Sequence, residues 1–288
     1  MFEYDSQSEL DFQEHERYER DRVSICDVSY ASPHGGRVSA FLLVPQRDDA
    51  LAGLLFMHPG GASRHAFLDE AIVVSQNGGV ALLIDAPHAR SPDRSIFSFT
   101  DQDRDDFVQA VVDLRRGVDL LVARPEVDAQ RIGYVGFSYG ATVGAMLAGV
   151  EKRIKAYVLW GGAAHLTHFL RKRGKAVPEA KLQAYLEMMA ALDAIYHVGQ
   201  AAPAALFFQN GRRDKNVSEQ DVMALHQAAS EPKQVAWYNA SHALNAKAHR
   251  ERFEWLRGQL GLDHLSPEQK QRLGKISLKS MSRSRWMR

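Results

Sequence analysis

The stretch Arg131–Val150 reads RIGYVGFSYGATVGAMLAGV, and at its centre Gly136-Phe137-Ser138-Tyr139-Gly140 sets a serine between two glycines. A serine hydroxyl attacks a carbonyl well only when it stands clear of its own backbone beside a base, which calls for a sharp turn from strand into helix. Such a turn leaves no room for a β-carbon two residues to either side, and glycine supplies that room. A buried strand is predicted up to Gly136, and the small residues Ala141, Gly144, Ala145 and Ala148 that follow would let a helix lie close against a sheet. A helix starting here also directs N–H groups and a partial positive charge to where an oxyanion would develop. Ser138 is therefore the candidate nucleophile, and the N–H of Tyr139 one candidate oxyanion donor.

A serine nucleophile needs a base and an acid to orient that base, and in this layout they follow in the order serine, acid, histidine. The run Ala204–Phe208 leads into Gln209-Asn210-Gly211-Arg212-Arg213-Asp214, and the run near Gln234–Tyr238 leads into Asn239-Ala240-Ser241-His242-Ala243. Taken singly, His242 could be a surface-loop histidine and Asp214 a helix cap ahead of Val217 and Ser218. Their common position at strand ends, in the required order, makes Asp214 the candidate acid and His242 the candidate base. An earlier loop, His58-Pro59-Gly60-Gly61-Ala62, follows the strand predicted at Gly53–Met57. Pro59 has no N–H, so Gly60 or Gly61 is the second candidate oxyanion donor, and His58 is read as holding that loop in shape.

These groups need a scaffold that delivers several strand ends to one edge. Apolar, β-branched runs recur at Val38–Val44, Gly53–Met57, Val80–Ile84, Arg131–Gly136, Ile154–Trp160 and Ala204–Phe208, with a last one near Gln234–Tyr238. Helical patterns fill most of the gaps. The clearest is Asp103–Ala123, where Phe107, Val111, Leu114, Val118 and Leu121 make one apolar stripe. Strands alternating with helices imply an α/β fold with a mainly parallel central sheet, whose ligands bind at the carboxyl edge. Arg22–Tyr30 and Val38–Val44, joined by Pro33, Gly35 and Gly36 with no helix between, suggest an antiparallel pair at one side. About eight strands are expected in all. Residues 163–200 form a long connection with a basic loop (Arg171–Lys175) and a helical stretch (Glu179–Tyr196), and connections this long are usually functional.

Three segments are expected: an acidic N-terminal extension at 1–22, one α/β domain at 23–264 with a helical cap insertion at 163–200, and a basic C-terminal tail at 265–288. The opposite charges of the two ends could attract within the chain or between subunits, and the latter would make a homodimer. Across 288 residues, 36 Lys plus Arg almost balance 35 Asp plus Glu, so net charge gives no reason to expect nucleic acid or an anionic membrane as partner. The tail reads as a solvated terminus. Residues 1–22 lack the apolar run of a secretory signal, no stretch is long and apolar enough to span a membrane, and Cys26 stands alone, so a cytoplasmic location is expected.

Taken together, His58-Pro59-Gly60-Gly61, Asp85, Arg124-Pro125-Glu126-Val127-Asp128, Gly136–Gly140, Gly211-x-x-Asp214-x-x-Val217 and Ser241-His242 resemble the dienelactone hydrolase and prolyl-oligopeptidase-like branch of the α/β-hydrolases. The resemblance covers roughly residues 23–262. It implies an α/β-hydrolase fold, a serine esterase with a Ser138–His242–Asp214 triad, and no cofactor. Dienelactone hydrolases use cysteine where this chain has Ser138, which points toward ester hydrolysis in general. The β-propeller of oligopeptidases has no counterpart here, and Ala141 stands where a further glycine is usual.

The chemistry expected is acyl transfer onto Ser138 and then to water, carried on a carboxylesterase-like site. Trp160, Phe169, Tyr185, Met188 and Met189 are candidates to line the substrate pocket. His165 and His168 lie at helical spacing, but no acidic or cysteine partner is evident beside them, so no metal is expected. Acyltransferase, perhydrolase or peptidase chemistry on the same fold, and a non-catalytic ligand-binding protein, remain alternatives.

Overall fold

A computed structural model describes residues 1–91 and 93–276; the last stretch of the basic tail, SLKSMSRSRWMR, lies outside the described residues. One sheet of nine strands runs through the molecule in the order β1-β2-β3-β5-β4-β6-β7-β8-β9. These are β1 (Gln13–Arg20), β2 (Val23–Ala31), β3 (Arg37–Pro45), β4 (Leu51–Met57), β5 (Gly79–Ile84), β6 (Val127–Phe137), β7 (Ile154–Trp160), β8 (Ala205–Gly211) and β9 (Lys233–Tyr238). The first three are antiparallel, β3 joins β5 antiparallel, and β4 to β9 are parallel. Together with the flanking helices this is the α/β-hydrolase fold.

Eight strands coincide with those read from sequence, and the ninth, β1, comes from the acidic segment 1–22. Its side chains are exposed almost throughout, so it has no apolar alternation to betray it. Its backbone is nevertheless paired with β2. Charged side chains along an outer strand discourage a further strand from adding there. The same segment is anchored at Phe2, which is buried, and at Tyr4, whose hydroxyl donates to Asp119 at 2.9 Å.

Strand alternation divides the core between the two faces. Leu51, Leu55 and Met57 of β4 and Val80, Leu82 and Ile84 of β5 face one core; Ala52, Leu54 and Phe56 with Ala81 and Leu83 face the other. The first face is covered by α2 (Asp101–Val122), α3 (Tyr139–Val150), α4 (Leu166–Arg173) and α5 (Glu179–Met189), and α6 (Glu219–Ala228) adds Leu225 there. The second is covered by α1 (Leu68–Gln76), α7 (Ala246–Leu260) and α8 (Pro267–Lys275). The chain leaves β4 toward β5 across one face and leaves β6 toward β7 across the other. The carboxyl ends of β4 and β6 therefore flank the point where the winding reverses, which is where such sheets bind ligands.

Helix α8 falls within the segment read as a solvated tail. Its Leu273 is buried, and its Arg272 pairs with Asp21 at 2.6 Å and with Asp69 at 3.4 Å. Here the two oppositely charged ends meet inside one chain.

His226 on α6 is buried against the Phe208 ring, with its Nε2 3.2 Å from the Asn210 side-chain nitrogen. Burial, and secondarily the charge of Lys233, pull its pKa down from 6.5 to about 4. Between those values the unfolded chain binds a proton that the folded chain refuses, so stability declines as pH falls through this window and levels off below it. The decline assigned to this residue is up to about 3 kcal/mol. Urea unfolding at pH 7 and pH 4.5 should show it in the wild type and show it largely removed in His226→Gln; equal pH slopes in the two proteins would refute the assignment.

Candidate active site

At the end of β6 the backbone of Ser138 adopts φ 54° and ψ −109°, a conformation that non-glycine residues rarely take. The turn is held by the Ser138 N–H, which donates to the Trp160 carbonyl at 2.8 Å, and by the Ser138 carbonyl, which accepts from Thr142 N–H at 2.9 Å. A β-carbon on Gly136 would come within 2.3 Å of the Gly140 carbonyl oxygen, and one on Gly140 within 2.1 Å of the Met57 carbonyl oxygen. Both glycines are thus required by backbone contacts that cannot move. Close approach of β4 to the start of α3 is what lifts the serine above the sheet edge.

Asp214 follows β8, and its loop is drawn against the loop after β9: a β-carbon on Gly211 would lie 2.4 Å from the Ser241 carbonyl oxygen. The juxtaposition brings His242 to the carboxylate, with Nδ1 2.6 Å from Asp214 Oδ2. The other carboxylate oxygen, Oδ1, accepts from Asn216 N–H at 2.7 Å and Val217 N–H at 3.2 Å. Burial by itself would raise the Asp214 pKa, but the hydrogen bond and charge of His242, helped by those two N–H groups, outweigh it and hold the carboxyl below its ordinary range. An ionised Asp214 makes Nδ1 of His242 the protonated nitrogen, which leaves Nε2 free to accept a proton.

The His242 ring lies against Phe137, centroids 5.0 Å apart, and its carbonyl accepts the indole N–H of Trp160 at 2.8 Å. Trp160 in turn stacks on Phe137 at 3.8 Å. The residue ahead of the serine and the residue ending β7 thus form a rigid aromatic back wall for the imidazole.

Ser138, His242, Tyr139, Gly60 and Gly61 all open onto one cavity of about 540 Å³, a volume that suits a small organic ligand. Gly60 lies beside the start of α3, since a β-carbon built on it would be 3.8 Å from that of Tyr139. His58 has the loop-holding part read from sequence. Its Nε2 accepts from Ala86 N–H at 3.0 Å, which leaves the proton on Nδ1 to donate to the Pro59 carbonyl at 2.8 Å. One buried neutral imidazole therefore ties the loop after β4 to the loop after β5.

Of the pocket residues anticipated from sequence, only Phe169 lines the cavity. Trp160 is wholly buried behind Phe137. Tyr185 turns away, its hydroxyl donating to Asp103 at 2.6 Å and its ring packed on Phe99. Met189 is buried in the core on the first face of the sheet, and Met188 is partly buried against it. All four are corrected to structural residues: Trp160 is core at the end of β7, and the large apolar side chains of α5 are taken up in burying that helix. The apolar walls are instead Ile96, Phe97, Phe107, Leu166, Phe169 and Val217. Ile96 and Phe97 sit in the long aperiodic loop between β5 and α2, whose length after a parallel strand was the available signal. Arg173, with its guanidinium 4.9 Å above the Phe169 ring, is the only permanently charged side chain among the described residues lining the cavity.

Comparison with known proteins agrees with this architecture. Residues 114–205 match the family model "BAAT / Acyl-CoA thioester hydrolase C terminal". No curated protein matches the sequence. Among solved structures, the acetyl xylan esterase of Paenibacillus sp. R4 superposes with TM-score 0.74 at 19% identity, covering 88% of this chain and 90% of that one. Acetyl xylan esterase 1 of Thermoanaerobacterium sp. JW/SL YS485 gives 0.75 at 14% identity, over 89% and 90%. An esterase of Pyrococcus furiosus gives 0.60 at 20% identity, over 88% and 95%. The chain has the α/β-hydrolase fold, and its solved structural neighbours include several esterases. Among the described residues no helix is long and apolar enough to cross a membrane.

Proposed function

We propose that this protein is a serine hydrolase that cleaves carboxylic esters through an acyl-enzyme intermediate. One observation carries the proposal: His242, bound to Asp214 at 2.6 Å, opens onto the same cavity as a serine held at positive φ between two obligatory glycines. In the first step Nε2 of His242 takes the Ser138 proton as the hydroxyl attacks the ester carbonyl. Asp214 fixes the tautomer and stabilises the imidazolium. The N–H groups of Tyr139 and of Gly60 or Gly61 hold the oxyanion, and the imidazolium then protonates the leaving alkoxide. In the second step the same histidine activates water, which releases the acid and restores the serine.

The segment 163–200 acts as a cap in this scheme, with Leu166, Phe169 and Arg173 of α4 walling the cavity. A second reading, thioester cleavage or acyl transfer, is favoured by the family match over residues 114–205 and by the cation at the cavity wall, which suits an acyl carrier bearing anionic groups. The buried, unpaired Cys26 fits a reducing compartment such as the cytoplasm.

A panel of p-nitrophenyl esters of increasing acyl length, matched p-nitroanilides and acyl-CoA thioesters separates these readings. Esters are expected to turn over at least about a hundredfold faster than amides. Thioesters outpacing oxygen esters would move the assignment to the second reading. Failure of a fluorophosphonate to label Ser138, with every substrate inert, would refute hydrolysis altogether and leave a binding protein.

A further inference from the structure

We infer a binding site for a divalent transition-metal ion formed by His165, His168 and Asp221, separate from the cavity described above. One ligand atom from each of the three lies within 4.8 Å of the others. His165 precedes α4 and His168 lies three residues on, which puts both rings on one face of that helix. The rings are stacked at 4.2 Å, and both Nδ1 atoms converge on the same oxygen, Asp221 Oδ1, at 2.7 Å and 3.5 Å.

Asp221 is built to hold that position. It is buried in the first turn of α6, and its second oxygen, Oδ2, accepts from Ala164 N–H at 2.9 Å and His165 N–H at 3.4 Å. The outer partners of a metal-ligating carboxylate play the same part, occupying one oxygen and aiming the other. Around a tetrahedral ion at about 2.0–2.1 Å from each donor, neighbouring ligand atoms stand about 3.3 Å apart. The Asp221–His168 spacing already meets that value. The Asp221–His165 hydrogen bond would open by about half an ångström, with the Nδ1 proton leaving as the metal enters.

Two imidazoles and one carboxylate suit zinc and its neighbours, whereas calcium and magnesium prefer oxygen alone. Three protein donors leave a coordination position for water on the exposed side, where His168 lies. The ion would join α4 to α6. The segments beside it, Ala163, Leu166 and Phe169 on one side and Val217 on the other, line the substrate cavity. Metal occupancy would therefore stiffen two cavity walls without touching the reacting atoms.

The test is zinc titration of tag-free full-length protein by calorimetry, beside His168→Ala and Asp221→Asn. His168 is exposed, so its loss removes one surface ring contact and leaves the core intact, and the protein's other histidines serve as the common background in every sample. One ion per chain is expected, with affinity at least about tenfold weaker in His168→Ala. Zinc should raise the melting temperature of wild type and raise that of His168→Ala less. Wild type binding no zinc, or His168→Ala binding it with unchanged stoichiometry and affinity, would overturn the site. Neither result depends on whether the protein hydrolyses esters.

Discussion

Ser138→Ala is expected to lower kcat by about four to six orders of magnitude on the best ester in the panel, with the melting temperature little changed. The hydroxyl is the only group removed, and the elbow that presents it is held by backbone bonds and by Gly136 and Gly140. Asp214→Asn should cost about ten-thousandfold, because an amide at that place favours the wrong tautomer of His242. Groups acting as one unit give losses that do not add, so Ser138→Ala combined with His242→Ala should be scarcely slower than Ser138→Ala alone. Steady-state and burst kinetics on the three variants check this. A Ser138→Ala enzyme within tenfold of wild type would remove the serine from the chemistry, and strictly multiplicative losses would break the triad into unrelated residues.

The second large effect is on stability. Beneath the aromatic back wall, Arg252 of α7 pairs with Glu70 of α1 through two bonds of 2.7 and 2.9 Å, both groups fully buried. Its guanidinium also lies 4.5 Å above the Trp160 ring, the ring whose N–H holds the His242 carbonyl. Burial would raise the Glu70 pKa, yet the Arg252 charge, with contributions from His249, reverses that and holds the carboxyl below its usual range. Arg252→Met would strand a buried carboxylate and is expected to cost about 3–5 kcal/mol. Glu70→Leu with Arg252→Met replaces both charges by packing and should recover most of that.

The sign with pH follows from the same shift. Stability supplied by ionised Glu70 is present above the carboxyl's unfolded value and is lost as pH falls through its lower folded value. The double variant should lose this part of the acid sensitivity. Urea unfolding of the three proteins at pH 7 and at acid pH measures both effects. A cost under about 1 kcal/mol for Arg252→Met would show that the pair is solvated and not structural.

Much of this molecule is set by interactions between residues close in sequence, and such features are legible one segment at a time. Eight of the nine strands among the described residues are legible as apolar, β-branched runs, since a strand buried on both faces has no choice of composition. The elbow is legible because Gly136 and Gly140 answer steric demands made by a turn of a few residues. The order serine, acid, histidine follows from strand ends sharing one edge.

What tertiary structure alone decided is where side chains point and which distant partners they meet. The edge strand β1 is invisible to hydrophobic pattern because only its backbone is engaged. Trp160, Tyr185 and Met188 have the apolar bulk of pocket residues, yet packing turns them inward, while Ile96 and Phe97 from an aperiodic loop reach the cavity. His165 and His168 look like a pair with no acidic neighbour until folding brings Asp221 beside them from a helix beyond the next strand. Spacing along the chain constrains neighbours on one element; contacts across elements depend on how whole faces dock, and that is settled by the burial of the entire core at once.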